Sequence, residues 1–233
     1  MRRLVYTVTV GDFHKEQALV THPLIRNYAH RNGADFVVID EARRKYAPYH
    51  PSYEDFQIID WLEHYDEIVH MDTDVLVTKT TPWLLDISGG MMCASDEQGL
   101  YYNHALTLGF YEDYCHQKTL PTTLGGVPII HWRYFNFGVF GVTKKDLDFY
   151  QDFLSHDFWS GDFGIQTPIN YQAVKLAHPI RDLGSEFNCL HWGMKRSSTL
   201  KTAHIVHYAG TPRNWQRVQI HMDHSTLVAM NRL

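Results

Sequence analysis

Three short apolar runs, at residues 4–10, 34–40 and 66–71, alternate with two stretches of helical spacing, and this rhythm constrains the fold more than any other feature of the chain. The first run stops at Gly11. Residues 14–31 follow with apolar positions at helical intervals, Pro23 marking a kink or boundary and Asn32-Gly33 the C-terminal cap. Residues 43–53 are polar and contain proline, which predicts a loop. In residues 54–64, Phe56, Ile59, Trp61 and Leu62 lie near helical spacing, so an amphipathic helix is expected there. The third run leads straight into Asp72-Thr73-Asp74. Strand, helix, strand, helix, strand with short links is the pattern of a parallel α/β sheet. In open sheets of this kind ligands gather at the carboxyl ends of the strands, where Gly11 and Asp72-Thr73-Asp74 both fall.

Beyond residue 77 the alternation loses its regularity. Residues 89–95, 134–143 and 203–208 read as strands, and residues 146–154 and 165–176 as helices, with Pro168 tolerated near the start of the latter. The strand order is expected to be mixed. The predicted class is therefore α/β, one domain with a mainly parallel mixed sheet flanked by helices. With 233 residues, no repeat and no linker-like tract, one sizeable core is the expectation.

Composition excludes several classes. A net charge of −5 does not supply the basic face that nucleic-acid binding wants. No run approaches the ~20 apolar residues of a membrane span. Met1-Arg2-Arg3 and the apolar run behind it imitate a signal peptide, but threonines break the run and no small-residue cleavage site follows, so it reads as a buried strand. Cys93, Cys115 and Cys189 are odd in number and form no C-x-x-C pair. A reducing, cytoplasmic setting is the expectation.

Asp72 and Asp74, one residue apart where a strand leaves the core, are the first candidates for chemistry. Side chains two apart in a strand share a face, so both acids can converge. Their mutual repulsion is relieved by a hard cation with oxygen ligands. The plainer reading is a pair of solvated loop acids.

The context around these acids resembles a known family. Residues 65–77, Tyr-Asp, an apolar strand, Asp-Thr-Asp and an apolar exit, are similar to the D-x-D region of GT-A-fold glycosyltransferases. Residues 207–215, His-Tyr-Ala-Gly-Thr-Pro-Arg-Asn-Trp, resemble the H-x-x-G-x-x-K-P-W segment of the retaining galactosyl- and glucosyltransferases, glycogenin among them. Phe135-Asn136-Phe137-Gly138 matches the family's F-N-x-G. Gln166, four residues before Asn170, matches its D-Q and following Asn, with Ile165 in place of the Asp. Asn214 replaces the family's Pro, Arg213 its Lys, and Asp55 stands where many relatives have a basic residue. The resemblance spans residues 4–215 and rests on these four islands, at 65–77, 135–138, 166–170 and 207–215, in the family's order.

The resemblance implies a metal-dependent hexosyltransferase using a nucleotide sugar, a UDP-sugar above all, with a glycan, lipid-linked or protein acceptor. It implies Asp72, Asp74 and His207 as ligands of Mn²⁺ or Mg²⁺, the imidazole favouring Mn²⁺. It places Thr73, Asn136, Gly138, Gly210 and Arg213 at the donor, and Gln166 under the anomeric carbon. The residues themselves add Thr7 and Thr9, near the end of the first strand, for base or ribose, against the alternative that they fill a strand. They also add Asp162 and Asp96 as candidate bases. Asp96-Glu97 closes a predicted strand and suits sugar hydroxyls or proton transfer, against the commoner role of surface acids. His204 and His207 differ by three, so only one can face the metal. Residues 1–77 are expected as the nucleotide-binding half, 78–215 as the sugar and acceptor half and 216–233 as a C-terminal tail. A nucleotidyltransferase, or an inactive carbohydrate-binding module of the same fold, are the rival readings. The first would want a phosphate-binding loop that Gly11-Asp12-Phe13-His14-Lys15 does not make.

Overall fold

A computed structural model describes residues 1–43, 51–97, 104–154, 164–191, 196–210 and 213–233. Strand β1 (Arg3–Val8) lies between β2 (Ala34–Ile39) and β3 (Glu67–Met71), parallel to both, with Val5 opposite Phe36 on one side and Val69 on the other. Alternation along β1 sends Leu4 and Tyr6 to one core and Val5 to another. Both faces of the sheet are therefore covered, which is why these strands read as apolar runs without a polar phase.

Helix α1 (Asp12–Arg31) packs its Ile25, Tyr28 and Ala29 on the Val5 face. It runs through Pro23, so the expected kink or boundary is not an end to the helix. The N–H that proline lacks would have bonded the Leu19 carbonyl; Leu19 is 80% exposed, so water can take that place. Asp12 in the first turn and His30 and Arg31 in the last suit the helix dipole. The predicted helix over 54–64 is a tight 3₁₀ segment (Pro51–Gln57) followed by α2 (Ile58–Leu62). Glu54 is buried there, accepting from the Arg43 backbone N–H and from Gln57 Nε2, which holds the tighter coil.

After β3 the chain changes sheets. Strand β4 (Val75–Val77) belongs to a second, three-stranded sheet, and α3 (Leu84–Ser88) leads back to β5 (Cys93–Asp96) in the first. Helix α4 (His104–Lys118) and the hairpin β6 (Thr123–Leu124) and β7 (Val127–Pro128) precede β8 (Phe135–Thr143), which runs antiparallel between β3 and β5. Helices α5 (Leu147–Leu154) and α6 (Gln166–Lys175) pack Phe149, Tyr150, Phe153 and Ile169 on the Leu4 face. Strand β9 (Arg181–Asp182) closes the six-stranded order β2-β1-β3-β8-β5-β9.

The second sheet has the order β10 (Cys189–Leu190), β11 (Ile205–His207), β4, with α7 (Arg196–Thr202) between its first two strands. Residues 216–233, expected as a tail, hold most of α8 (Arg213–Ala229), whose Ile220 and Leu227 join Leu76, Val206 and Tyr208 in a core of their own. Cys93, Cys115 and Cys189 are buried and none is joined to another by a disulfide. Among the described residues no helix is long and apolar enough to cross a membrane.

Candidate active site

Asp72 and Asp74 flank the crossing from one sheet to the other. Rather than sharing the face of one strand, they stand on either side of a turn, Asp72 at the end of β3 and Asp74 at the start of β4. The turn is lashed down. The Thr73 hydroxyl donates to the Val8 carbonyl at 2.6 Å, and Thr21 on α1 donates to the Thr73 carbonyl at 2.6 Å. The Asp72 backbone N–H donates to Gly138 O at 2.7 Å, and Tyr208 N–H donates to Asp74 O at 3.1 Å.

Antiparallel pairing of β11 with β4 sets His207 opposite Val75. His207 Nε2 then lies 3.4 Å from Asp72 Oδ2 and 3.3 Å from Asp74 Oδ1. His204, three residues earlier, stacks instead on Phe187, with ring centroids 4.7 Å apart. Exposure falls from 42% for the Asp72 side chain to 16% for Asp74 and 1% for His207, so the cluster opens to solvent on the Asp72 side.

Each of the three residues has one polar atom held from behind. His70 Nε2 lies 3.0 Å from Asp72 Oδ1, Gln216 Nε2 donates to Asp74 Oδ2, and His207 Nδ1 lies 2.8 Å from Asn188 Oδ1. What remains, Asp72 Oδ2, Asp74 Oδ1 and His207 Nε2, faces one point. His207 Nε2 is buried with no hydrogen-bond partner. An imidazole bonded at Nδ1, beside two carboxylate oxygens, makes a donor set that a divalent cation can displace a proton from and use, and ligand atoms from the three residues lie within 4.8 Å of one another. The residues present fit such an ion.

The charges agree with this. Burial opposes a proton on His207, yet Asp74 and Asp72 hold its pKa up at about 10. Burial would raise the Asp72 carboxyl, but His207 and His70 bring it well below the usual carboxylate range. Two carboxylates thus draw positive charge to this point. Asp55, in the place where the resemblance would put a basic residue, is buried with its Oδ1 3.9 Å from His70 Nε2, and burial pushes its carboxyl up to about 7.

Gly138 lies directly beneath the cluster. A Cβ built there would sit 2.6 Å from Asp72 Oδ2 and 2.9 Å from His207 Nε2, and closer still to His207 Cε1. The glycine of the Phe-Asn-Phe-Gly run therefore leaves room for the Asp72 and His207 side chains.

A second polar cluster adjoins the first. Asn136 Nδ2 donates to Glu97 Oε1 at 2.6 Å, and Gln166 Nε2 donates to the same oxygen at 3.2 Å. Gln166 Oε1 accepts from the Phe137 N–H at 3.2 Å, and Asn170 Oδ1 from the Phe135 N–H at 2.8 Å, so these two amides of α6 face β8. Burial raises the pKa of Glu97. Its neighbour Asp96 is turned to Arg133, whose Nε donates at 2.7 Å and whose Nη2 reaches Asp182 at 2.8 Å. Of this acidic pair it is Glu97, not Asp96, that meets Asn136 and Gln166.

Thr7, Thr9 and Thr73 form a buried hydroxyl cluster, with Thr73 Oγ1 3.3 Å from Thr7 Oγ1 and 3.0 Å from Thr9 Oγ1. Thr7 has no exposed surface, which fits the strand-filling alternative for it. Thr9 also meets His22 Nε2 at 3.1 Å. Gly210 has φ +69°, the left-handed region that glycine adopts freely. Arg213 opens α8, but its side chain and Asp162 lie outside the described residues.

Sequence reasoning did not find His70, Asn188 or Gln216. His70 carried a signal, since it lies two residues before Asp72. Asn188 and Gln216 carried none, because their partners come from distant strands.

No family model matches the chain, and no curated protein matches it in sequence. Solved structures do. A glycosyltransferase involved in the glycosylation of the major capsid of PBCV-1 superposes with a TM-score of 0.62 at 16% identity, over 95% of this chain and 100% of that one. The apo bifunctional glycosyltransferase WbbM gives 0.59 at 14% identity, over 96% of this chain and 50% of that one. The galactosyltransferase LgtC, in complex with donor and acceptor sugar analogs, gives 0.52 at 12% identity, over 95% of each. The chain has the GT-A glycosyltransferase fold.

Proposed function

We propose that this chain is a metal-dependent glycosyltransferase. In this reading it moves a hexose from a nucleoside diphosphate sugar, with UDP as the carrier, to a glycan, lipid-linked or protein acceptor in the cytoplasm. Residues 1–77 would hold the nucleotide and residues 78–215 the sugar and acceptor, with 216–233 closing the domain. The observation that carries the reading is the unpaired His207 Nε2 between Asp72 and Asp74, on a fold shared with solved glycosyltransferases.

A divalent ion, Mn²⁺ or Mg²⁺, supplies charge that stabilises a leaving diphosphate without proton transfer. Asp72, Asp74 and His207 would hold it, and the open Asp72 side would admit the phosphates. The Gly210 backbone and the Arg213 guanidinium would meet the diphosphate, the latter as a planar fork. Asn136 and Gly138 would line the sugar, Thr73 fixing the turn beside it, and Thr9 would serve base or ribose. Under retention, Gln166 would lie beneath the anomeric carbon. Under inversion, a carboxylate must take the acceptor proton, and Glu97 joins Asp96 and Asp162 as the candidates. Its burial-raised pKa moves towards the range a base needs.

The test is turnover of a panel of UDP-sugars by the full chain with Mn²⁺ and with EDTA. Release of UDP that needs Mn²⁺ and an acceptor supports the reading. Binding without turnover would favour an inactive carbohydrate-binding module. Nucleotidyl transfer from a nucleoside triphosphate would overturn it.

A further inference from the structure

The hydrogen bonds behind His207 form a line whose direction is fixed at its far end. Gly138 N–H can only donate, and it lies 2.9 Å from an atom of the Asn136 amide, which must therefore be Oδ1. Asn136 Nδ2 then faces the Glu97 carboxylate, an acceptor, which agrees. The same Asn136 Oδ1 lies 2.8 Å from the Asn188 amide, so Asn188 presents Nδ2 to it and turns Oδ1 towards His207 Nδ1, 2.8 Å away. Oδ1 accepts only, so Nδ1 must carry a hydrogen. Reversing the Asn188 amide would set oxygen against oxygen at one end. All four side chains are buried, so water is not at hand to repair such a reversal: Glu97 and Asn136 are 8% and 6% exposed, Asn188 and His207 1% each.

We infer that Asn188 is a positioning residue that locks the Nδ1–H form of His207 and so keeps the Nε2 lone pair aimed between Asp72 and Asp74. The lock is set by Glu97 and the Gly138 amide through Asn136. Glu97 and Asn136 also face Gln166, directly or through the shared carboxylate, so the proposed sugar pocket and metal ligand share one hydrogen-bonded frame. This rests on the metal-dependent reading above, and it names a residue that acts through His207 rather than on the ion.

The experiment measures Mn²⁺ binding to the full chain by calorimetry, alongside ¹⁵N shifts of its histidines with diamagnetic Mg²⁺ present. Asn188→Ala is expected to weaken Mn²⁺ binding about 10–100-fold, the usual effect of losing a ligand's outer hydrogen-bond partner. Asn188→Asp keeps an oxygen that accepts from Nδ1–H but sets its other oxygen against Asn136 Oδ1, so it is expected to lose clearly less affinity than Asn188→Ala without matching the unaltered chain. Loss in both variants alike would assign Asn188 a general packing role and overturn the proposal. Should Asn188→Ala not fold, the wild-type spectrum decides: His207 protonated at Nδ1 and bare at Nε2 supports the lock, and the opposite tautomer overturns it. A wild-type chain that binds neither ion overturns the metal reading itself and the lock's role with it. A wild-type chain that binds Mn²⁺, with unchanged affinity in Asn188→Ala, overturns the lock alone.

Discussion

Two polar clusters meet at the carboxyl end of β3, and they treat hydrogen bonding in opposite ways. In the threonine cluster, Thr73 Oγ1 donates to Val8 O and sits within reach of Thr7 and Thr9, and Thr21 caps the Thr73 carbonyl. Its bonds close on themselves. In the acid–histidine cluster, each residue is held from behind and His207 Nε2 is left without a partner. A buried polar atom without a partner costs about 1–3 kcal/mol, so it persists where something else gives it a reason. The satisfied cluster holds a turn in place. The unsatisfied one offers Asp72 Oδ2, Asp74 Oδ1 and His207 Nε2 to the divalent ion proposed above.

The comparison can be broken most sharply at Asp74. Asp74→Asn should abolish Mn²⁺-dependent turnover while leaving the fold intact, and EDTA should do the same to the unaltered chain. Near-wild-type, EDTA-insensitive turnover in the variant would reduce the acids to solvated loop residues. Next in size is Gly138→Ala, whose methyl group would meet Asp72 and His207. Mn²⁺ affinity should fall by at least the ~10–100-fold typical of disturbing a ligand's support. Titration showing unchanged affinity would mean that the backbone yields there. Gln166→Ala comes third. Its amide joins the Phe137 N–H to Glu97, and losing it should lower kcat about a hundredfold while leaving the donor KM little changed, as for a group acting chiefly in the transition state. An unchanged kcat would turn attention to Asp162, Asp96 and Glu97. The smallest effect belongs to the satisfied cluster. Thr73→Val removes the hydroxyl that Val8 O accepts and should lower stability by about 1–3 kcal/mol in denaturant unfolding, with donor KM unmoved. A raised KM at constant stability would instead give this hydroxyl to the donor.

Much of this arrangement was legible in the residues. The apolar runs at 4–10, 34–40 and 66–71 became β1, β2 and β3; burial on both sheet faces leaves a plain signal in β1 and β3, and the half-buried edge strand β2 keeps enough of it to be read. The regions 134–143 and 165–176 appeared as β8 and α6 within a residue or so. Alternation along a strand correctly allowed only one of His204 and His207 near the acids. The change of sheet between Asp72 and Asp74 was not legible, since an apolar run on each side looks the same whether one sheet continues or two meet. Whether the helix would end at Pro23 was not legible, because the cost of proline depends on whether the freed carbonyl reaches water, which depends on tertiary packing. Asn188 and Gln216 were invisible for a related reason. A polar residue that supports a ligand from behind is defined by its partner, and the partner lies in another part of the chain.

That change of sheet also has a consequence for how the molecule assembles. The strand that carries Asp74 pairs with β11, whose His207 comes 133 residues later. Closing a segment of that length costs on the order of 4 kcal/mol in chain entropy before any contact repays it. A chain broken between β4 and β11 would keep both acids and lose the imidazole, so the complete triad belongs only to the finished fold. An ion bound by all three residues would act as a clasp between early and late parts of the chain. At a hundred times its dissociation constant it would add about 2.7 kcal/mol to the closed form alone.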